Sequence, residues 1–288
     1  MNLEATRVIS LSEERDRGTY PAPPELLLER AERLRDQYRS ADPFPHIVID
    51  DFFPEAVLDA VLAEFPDPRG IDWARFDRDT ENKLASKFEV QLGDRTRQFC
   101  WGLNSQVFIS FLETLTGIEG LIPDPHLWGG GLHQIARGGF LKIHADFNRH
   151  PRLALDRRLN LLVYLNRDWK EEYGGHLELW TQDMSRCAVR VLPVFNRCVV
   201  FSTTDYSYHG HPDPVTCPEG RTRKSVAMYY YSNGRPEDEI TGEHNTAWKK
   251  RHADEFGIAP KHNAVRSLVQ DWTPPALLRL LTRMRSGR

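Results

Sequence analysis

Residues 140–147 read FLKIHADF, an apolar segment that ends in His144 and Asp146. Side chains alternate along a strand, so residues two positions apart point to the same face and could bind one metal ion. Residues 199–212 read VVFSTTDYSYHGHP, in which a second apolar segment leads to His209 and His211. Either histidine could complete a set of two imidazoles and one carboxylate, the facial ligand set of non-haem Fe(II) sites that react with oxygen.

The chain after Pro125 consists of short apolar or alternating stretches separated by turn residues such as Gly138-Gly139 and Gly174-Gly175. This pattern predicts eight strands, at about 130–136, 140–147, 158–166, 175–181, 188–193, 197–202, 206–211 and 223–232. Eight short strands favour a double-sheet jelly roll. The predicted fold class is therefore α+β, with a double-stranded β-helix core of jelly-roll or cupin-like type and supporting N-terminal helices.

The segment before Pro125 is predicted to be mainly helical. Apolar residues at helical spacing predict helices over 25–38, after Pro54 and over 105–115, and an apolar run predicts a short strand at 46–49. We divide the chain into a polar lead-in (1–22), a helical support region (23–125), a jelly-roll catalytic core (126–234) and a C-terminal extension (235–288) ending in a helix.

Composition and charge exclude several classes of function. The 38 basic and 41 acidic residues are spread along the chain, which argues against a nucleic acid or an anionic membrane as partner. The absence of a signal-peptide pattern and of a run of about 18 apolar residues predicts a cytoplasmic protein. The four cysteines form no CxxC pair, which argues against a structural zinc site or a disulfide framework.

A basic residue opens the last predicted strand, within EGRTRKSVAMYYYS at 219–232. Alternation places Arg223 on one face with the small residues Ser225 and Ala227, whereas Lys224 faces the other way and Arg221 lies in the preceding turn. A guanidinium binds a carboxylate through two parallel hydrogen bonds. Arg223 is therefore the candidate anchor for a dicarboxylate.

The residues from about Leu132 to Ser232 resemble the prolyl 4-hydroxylase-like branch of the 2-oxoglutarate/Fe(II)-dependent dioxygenases. The stretch YLNRDWKEEYGGHLELW at 164–180 is similar to the YLN-x-DW and GG-x-L motifs of oxygen-sensing prolyl hydroxylases. In that family the last metal-binding histidine follows a strand-end Phe by the interval that separates Phe201 from His209. The resemblance therefore favours His209 over His211.

The resemblance implies that His144, Asp146 and His209 bind Fe(II), and that these three residues and Arg223 form the catalytic set. It further implies that Arg223 binds the far carboxylate of 2-oxoglutarate, that Tyr164 donates a hydrogen bond to the co-substrate, and that Gln134 lines the pocket. Such an enzyme consumes 2-oxoglutarate and O2, releases succinate and CO2, and hydroxylates an unactivated C–H bond. The implied substrate is a prolyl or other peptidyl residue, or an amino-acid-like small molecule.

Other interpretations stay open at this point. The same cofactors could support desaturation or cyclisation in a biosynthetic pathway, a cupin-type dioxygenase could work without a keto acid, and a jelly-roll protein could bind ligands without catalysis. His211 is either a binding residue or a polar residue of a turn. His133 and His176 are predicted to be structural.

Overall fold

The computed structural model describes residues 9–10, 24–240 and 242–254. Its helices are α1 (Pro24–Arg39), α2 (Glu55–Ala63), α3 (Asp94–Leu103) and α4 (Gln106–Thr116). Its strands are β1 (Ile9–Ser10), β2 (His46–Asp50), β3 (Ala74–Arg78), β4 (Glu81–Ala85), β5 (Ile122–Pro123), β6 (Gly131–Ala136), β7 (Phe140–Ala145), β8 (Asp156–Tyr164), β9 (Leu177–Trp180), β10 (Cys187–Val191), β11 (Cys198–Ser202), β12 (His209–His211), β13 (Thr222–Ser232) and β14 (Ala247–Trp248).

The eight strands predicted after Pro125 are present and form the two sheets of a double-stranded β-helix. One sheet runs β11-β8-β13-β6 and is extended beyond β11 by β2, and the other runs β7-β12-β9-β10. Strand β4 pairs with both β6 and β7 and so connects the two sheets along one side. The predicted fold class is confirmed.

Alternation along β8 separates the hydrophobic core into two parts. Leu159, Leu161 and Val163 belong to the apolar cluster that includes the buried residues of the helices, such as Phe108. Tyr164 belongs to a second cluster, between the two sheets. The helices therefore pack against the outer face of one sheet. The opposite face of that sheet lines the interior of the β-helix.

The predicted helices over 25–38, after Pro54 and over 105–115 correspond to α1, α2 and α4. Ser105 begins α4 by accepting a hydrogen bond from the backbone N–H of Phe108, and Gly117 ends it in the left-handed conformation, with φ of 74°. Local signals of this kind can be identified without knowledge of the tertiary contacts.

Helix α3 and the β3–β4 hairpin were not predicted. Both are rich in polar residues, and each owes its conformation to contacts with distant parts of the chain. Phe99, Cys100 and Leu103 bury one side of α3, while β4 is held by its pairing with β6 and β7. The support region therefore contains one helix and one hairpin in addition to the elements that the sequence indicated.

Two predictions fall largely or wholly outside the described residues. In the predicted lead-in only Ile9–Ser10 is described, as a strand parallel to β2, and the predicted terminal helix at Pro274 and beyond is not described. None of the helices described in the three ranges combines the length and apolarity needed to cross a membrane. The cytoplasmic location stays a prediction.

Candidate metal centre and co-substrate pocket

His144, Asp146 and His209 meet at one end of the β-helix. His144 lies near the end of β7, Asp146 follows that strand directly, and His209 begins β12 opposite His144 in the antiparallel pair. One ligand atom from each residue lies within 4.8 Å of the others. The spacing along the strand and the cross-strand pairing together produce a cluster in which a single metal ion can contact all three side chains.

Both histidines direct the same ring nitrogen towards Asp146. Nδ1 of His144 donates to the carbonyl oxygen of Lys142, and Nδ1 of His209 donates to that of Ser207, each at 2.8 Å. The Nε2 atoms then lie 3.5 Å and 3.4 Å from the carboxylate oxygens of Asp146. Because each Nδ1 carries the proton that the carbonyl accepts, each Nε2 presents a lone pair to the cluster.

The charge of Asp146 is supported from behind by Arg157 and Asn160. Nη2 of Arg157 lies 3.0 Å from Oδ2 of Asp146, and Nδ2 of Asn160 donates to the same oxygen at 2.7 Å. Burial by itself would raise the pKa of Asp146, but the nearby Arg157, His209 and His144 hold that pKa well below its usual range. Burial lowers the pKa of His209 to about 4. At neutral pH the cluster therefore offers an ionised carboxylate and a neutral imidazole, the states that bind divalent metals.

The guanidinium of Arg157 is buried and contacts two aromatic rings and a side-chain amide. Its guanidinium lies 3.6 Å from the ring centroid of Tyr229 and 4.4 Å from that of Phe147, and its Nη2 donates to Oδ1 of Asn160 at 2.6 Å. Contacts of a guanidinium with aromatic faces are favourable because the ring face carries partial negative charge. Neither Arg157 nor its pairing with Asp146 was identified from the sequence, because the ten intervening residues include an irregular loop.

Arg223 and Tyr164 lie together in the same interior. Nε of Arg223 donates to the carbonyl oxygen of Gly175 at 2.7 Å, and Nη2 donates to the hydroxyl of Tyr164 at 3.3 Å. Within the described ranges no carboxylate lies within ion-pairing distance of Arg223, although the residue is only 4% exposed. Burial lowers the pKa of Arg223, which reflects the cost of keeping this charge away from water. The arrangement suits an anionic ligand.

The other two basic residues at this end of β13 face away from the interior. Nη1 of Arg221 donates to the backbone carbonyls of Arg167 and Asp168 at the surface, and Nζ of Lys224 donates to Oγ1 of Thr222. Alternation along the strand separates Lys224 from Arg223, and Arg221 lies before β13 begins at Thr222, as the sequence pattern predicted.

Gln134 does not line the pocket, contrary to the prediction. Its amide donates to the carbonyl oxygen of Pro66 and its Oε1 accepts from Thr222, both outside the barrel interior. The neighbours of Gln134 on β6, His133 and Ile135, pair with Ser225 and Arg223 and line the cavity instead. The interval that placed Gln134 came from the resemblance and carried no information on which face of β6 each residue occupies.

A cavity of about 70 Å³ connects the metal-binding cluster with Arg223. Its apolar walls are formed by Ile135, Leu141, Leu162, Leu177 and Phe201, and its polar lining by Lys83, His133, His144, Asp146, Asn160, His209, His211, Arg223, Ser225 and Tyr229. Lys83 comes from the hairpin that the sequence analysis missed. His133 was predicted to be structural, and its Nε2 does bond to the carbonyl oxygen of Gly129 at 2.9 Å, but it also borders the cavity. His176 lies outside the lining and pairs with Glu171 at 2.8 Å.

Comparison with known proteins adds family and fold to this geometry. Residues 130–231 match the model of the 2OG-Fe(II) oxygenase superfamily. Among solved structures, a prolyl-4-hydroxylase of Pseudomonas putida is 19% identical with a TM-score of 0.52, and the match covers 71% of this chain and 100% of that chain. No curated protein sequence matches the chain significantly.

A prolyl hydroxylase of Trichoplax adhaerens, solved in complex with a hypoxia inducible factor oxygen degradation domain peptide fragment, is also similar. It is 15% identical with a TM-score of 0.50, and the match covers 74% of this chain and 94% of that chain. Identities this low show a common fold alone. The family model, by contrast, matches the strands that carry the cluster and Arg223. Residues 130–231, which carry the cluster and Arg223, match the 2OG-Fe(II) oxygenase superfamily, whose cofactor is Fe(II) and whose co-substrates are 2-oxoglutarate and O2.

Proposed function

We propose that this oxygenase is a hydroxylase in which His144, Asp146 and His209 bind Fe(II), while Arg223 and Tyr164 bind the far carboxylate of 2-oxoglutarate. One observation carries the proposal. A single cavity is lined both by a cluster of two histidines and an aspartate and by a buried arginine with no acidic partner among the described residues.

The donor atoms suit Fe(II). Two imidazole nitrogens and one carboxylate oxygen form the ligand set that leaves part of the coordination sphere of iron open for other ligands. Backbone carbonyls orient both imidazoles, and Asn160 orients the carboxylate. Such supporting hydrogen bonds raise metal affinity because the ligands need not reorganise on binding.

The part of the cavity lined by Arg223 suits a dicarboxylate. A buried guanidinium is strongly unfavourable without an anion, and a carboxylate would provide both the charge and two hydrogen-bond acceptors. The hydroxyl of Tyr164 contacts the guanidinium and can donate to the same carboxylate. Tyr164 is also fully buried, so its orientation is determined by packing.

Fe(II), 2-oxoglutarate and O2 together supply an oxidant that can break an unactivated C–H bond, with release of succinate and CO2. The residues of this chain contribute position and shielding. Leu162, Leu177 and Phe201 present apolar surface to the cavity and keep water from it, while the histidines direct their Nε2 atoms towards one point.

The size of the cavity bears on the substrate. Sites that enclose a whole drug-sized ligand measure about 300–1,000 Å³, whereas this cavity measures about 70 Å³. A substrate of that size would stay largely outside and present only its reacting carbon near Asp146. A prolyl or other peptidyl residue, or an amino-acid-like small molecule, meets this requirement. The fold shared with a peptide-bound prolyl hydroxylase supports the peptidyl class.

Anaerobic titration tests the proposal. Protein loaded with Fe(II) is titrated with 2-oxoglutarate, the weak visible charge-transfer band of the chelate is followed, and succinate is measured after O2 is admitted. Both signals are expected in the wild type and in Asp77→Ala, which alters an exposed aspartate of β3, and neither in Asp146→Ala. Iron binding without band or succinate in the wild type would instead support a protein that binds ligands without catalysis.

A further inference from the structure

His211 is a buried imidazole for which the protein provides no hydrogen bond. The residue is 3% exposed, and within the part of the chain that the structure describes neither Nδ1 nor Nε2 has a partner. Burial of an unpaired polar group is unfavourable, so native proteins rarely keep one without a ligand or a bound water to satisfy it. The ring of His211 lines the cavity that contains the metal-binding cluster.

His209 and His211 are two positions apart on β12 and both line the cavity, and the pairing of β12 with β7 is irregular between them. His209 pairs with His144 and His211 pairs with Leu141, so the register shifts by one residue between them. Gly210 lies at this irregularity, where an added Cβ would come within 2.8 Å of the carbonyl oxygens of Leu141 and Lys142. A glycine is therefore required for the close approach of the two strands.

His211 is not part of the metal-binding cluster. That cluster, whose ligand atoms lie within 4.8 Å of one another, contains His144, Asp146 and His209 and does not include His211. The groups of the cavity that influence His211 electrostatically are Arg223, Lys83, His144 and His133, with Arg223 contributing most after burial. His211 thus lines the same cavity as the cluster and Arg223.

The neighbouring polar groups already have partners. Nζ of Lys83 lies 3.3 Å from Oε2 of Glu81, and His133 bonds to the carbonyl oxygen of Gly129. Of the described groups in this part of the cavity, Arg223 lacks an acidic partner and His211 lacks any hydrogen bond. A carboxylate could satisfy both residues, since it has two oxygens and about four lone pairs.

We propose that His211 is a positioning residue for 2-oxoglutarate, whose ring N–H donates a hydrogen bond to the carboxylate that Arg223 binds. The inference rests on the proposed function and adds a second donor to its co-substrate site. A hydrogen bond from a neutral ring to a charged carboxylate is directional, so His211 would orient the co-substrate as well as hold it.

Calorimetry with Mn(II)-loaded protein and 2-oxoglutarate tests this role. His211→Leu is expected to weaken 2-oxoglutarate binding by about tenfold or more, the loss typical of a hydrogen bond to a charged group. His211→Gln retains a side-chain N–H and is expected to recover part of the affinity. His252→Leu, the same change at an exposed histidine, is expected to bind like the wild type.

Thermal unfolding of the metal-free protein separates ligand binding from a structural role. His211→Leu removes an unsatisfied polar group from the interior and is expected to keep or raise the Tm, because an apolar side chain of similar volume fits the buried position. A large fall in Tm would show that His211 supports the fold, which contradicts the proposal.

A keto acid that lacks the far carboxylate tests whether His211 bonds to that carboxylate. With 2-oxopentanoate, wild type and His211→Leu are expected to bind equally, because the carboxylate that meets His211 is missing. Equal 2-oxoglutarate affinities in the two proteins, or an equal loss for both keto acids, would overturn the assignment. Wild-type protein that binds Mn(II) but no 2-oxoglutarate would instead contradict the proposed function, and the inference with it.

Discussion

Replacement of Arg157 by methionine is expected to strengthen metal binding, although Arg157 supports a predicted metal ligand. The guanidinium lies 3.0 Å from Oδ2 of Asp146 and is 1% exposed. Arg157 therefore already neutralises the negative charge of Asp146, which a bound metal ion would also neutralise. Removing one member of a buried ion pair costs about 3 kcal/mol, because the other charge is left unpaired.

The cost falls mainly on the metal-free protein. A divalent cation at the cluster provides the charge that Arg157→Met has lost, so the metal-bound variant recovers part of the stability. If about half of the 3 kcal/mol is recovered, the linkage between folding and binding makes metal affinity about tenfold higher than in the wild type. Asn160 still donates to Asp146 at 2.7 Å and keeps the carboxylate in place.

Asn160→Ala provides the matched comparison, since it removes a hydrogen bond to the same oxygen without a change of charge. Loss of such an orienting group typically weakens metal binding by about 10–100-fold. The two variants are therefore expected to shift the affinity in opposite directions. Mn(II) calorimetry at pH 7, with urea unfolding in the presence and absence of Mn(II), measures both effects. Weaker Mn(II) binding in both variants would show that Arg157 acts by orientation, and the electrostatic reasoning would be refuted.

Three further predictions concern the co-substrate site and the metal-binding cluster. Arg223→Leu should weaken 2-oxoglutarate binding by about 100-fold, and Arg223→Lys by less, with Mn(II) affinity retained in both; unaltered 2-oxoglutarate affinity in calorimetry would remove Arg223 from the site. Gly175→Ala should also weaken 2-oxoglutarate binding, because the added Cβ would lie 2.9 Å from Cδ of Arg223, whereas Gly138→Ala has a similar φ and open space around it and should not; equal affinities in the two variants would contradict this reasoning. The pKa of His209, lowered by burial to about 4, means that this group contributes stability that is fully present above pH 6.5 and is lost as the pH falls towards 4, by about 3 kcal/mol. Urea unfolding of the metal-free proteins measures this effect: the free energy of unfolding should fall less at acid pH in His209→Leu than in the wild type. Parallel pH profiles of the two proteins would exclude His209 as the source of the loss.

The metal-binding cluster illustrates how far local patterns extend. Alternation put His144 and Asp146 on one face, and the apolar strand before His209 indicated where the third side chain would come from. The resemblance was needed to prefer His209 over His211. In the structure, the pairing of His209 with His144 brings the three side chains together. That these residues bind Fe(II) stays a proposal until metal binding is measured.

Gln134 shows where the same reasoning failed. Its position was inferred from an interval along the chain, yet the face that a residue of β6 presents depends on the register with β13. Because Arg223 pairs with Ile135 and Ser225 pairs with His133, the residue between them is directed out of the barrel. A shift of one residue exchanges the two faces of a strand, and a single sequence contains no measure of that shift.

The sequence by itself determined the eight strands of the core, three of the helices, the shared face of His144 and Asp146, and the face of Arg223. These features follow from alternation, helical spacing and turn residues, which act over a few neighbouring positions. The tertiary structure alone decided the β3–β4 hairpin, the pairing of Arg157 with Asp146, and the unpaired, buried ring of His211. Burial and ion pairing depend on which distant segments pack together, and strand register sets those contacts through interactions between residues far apart in the chain.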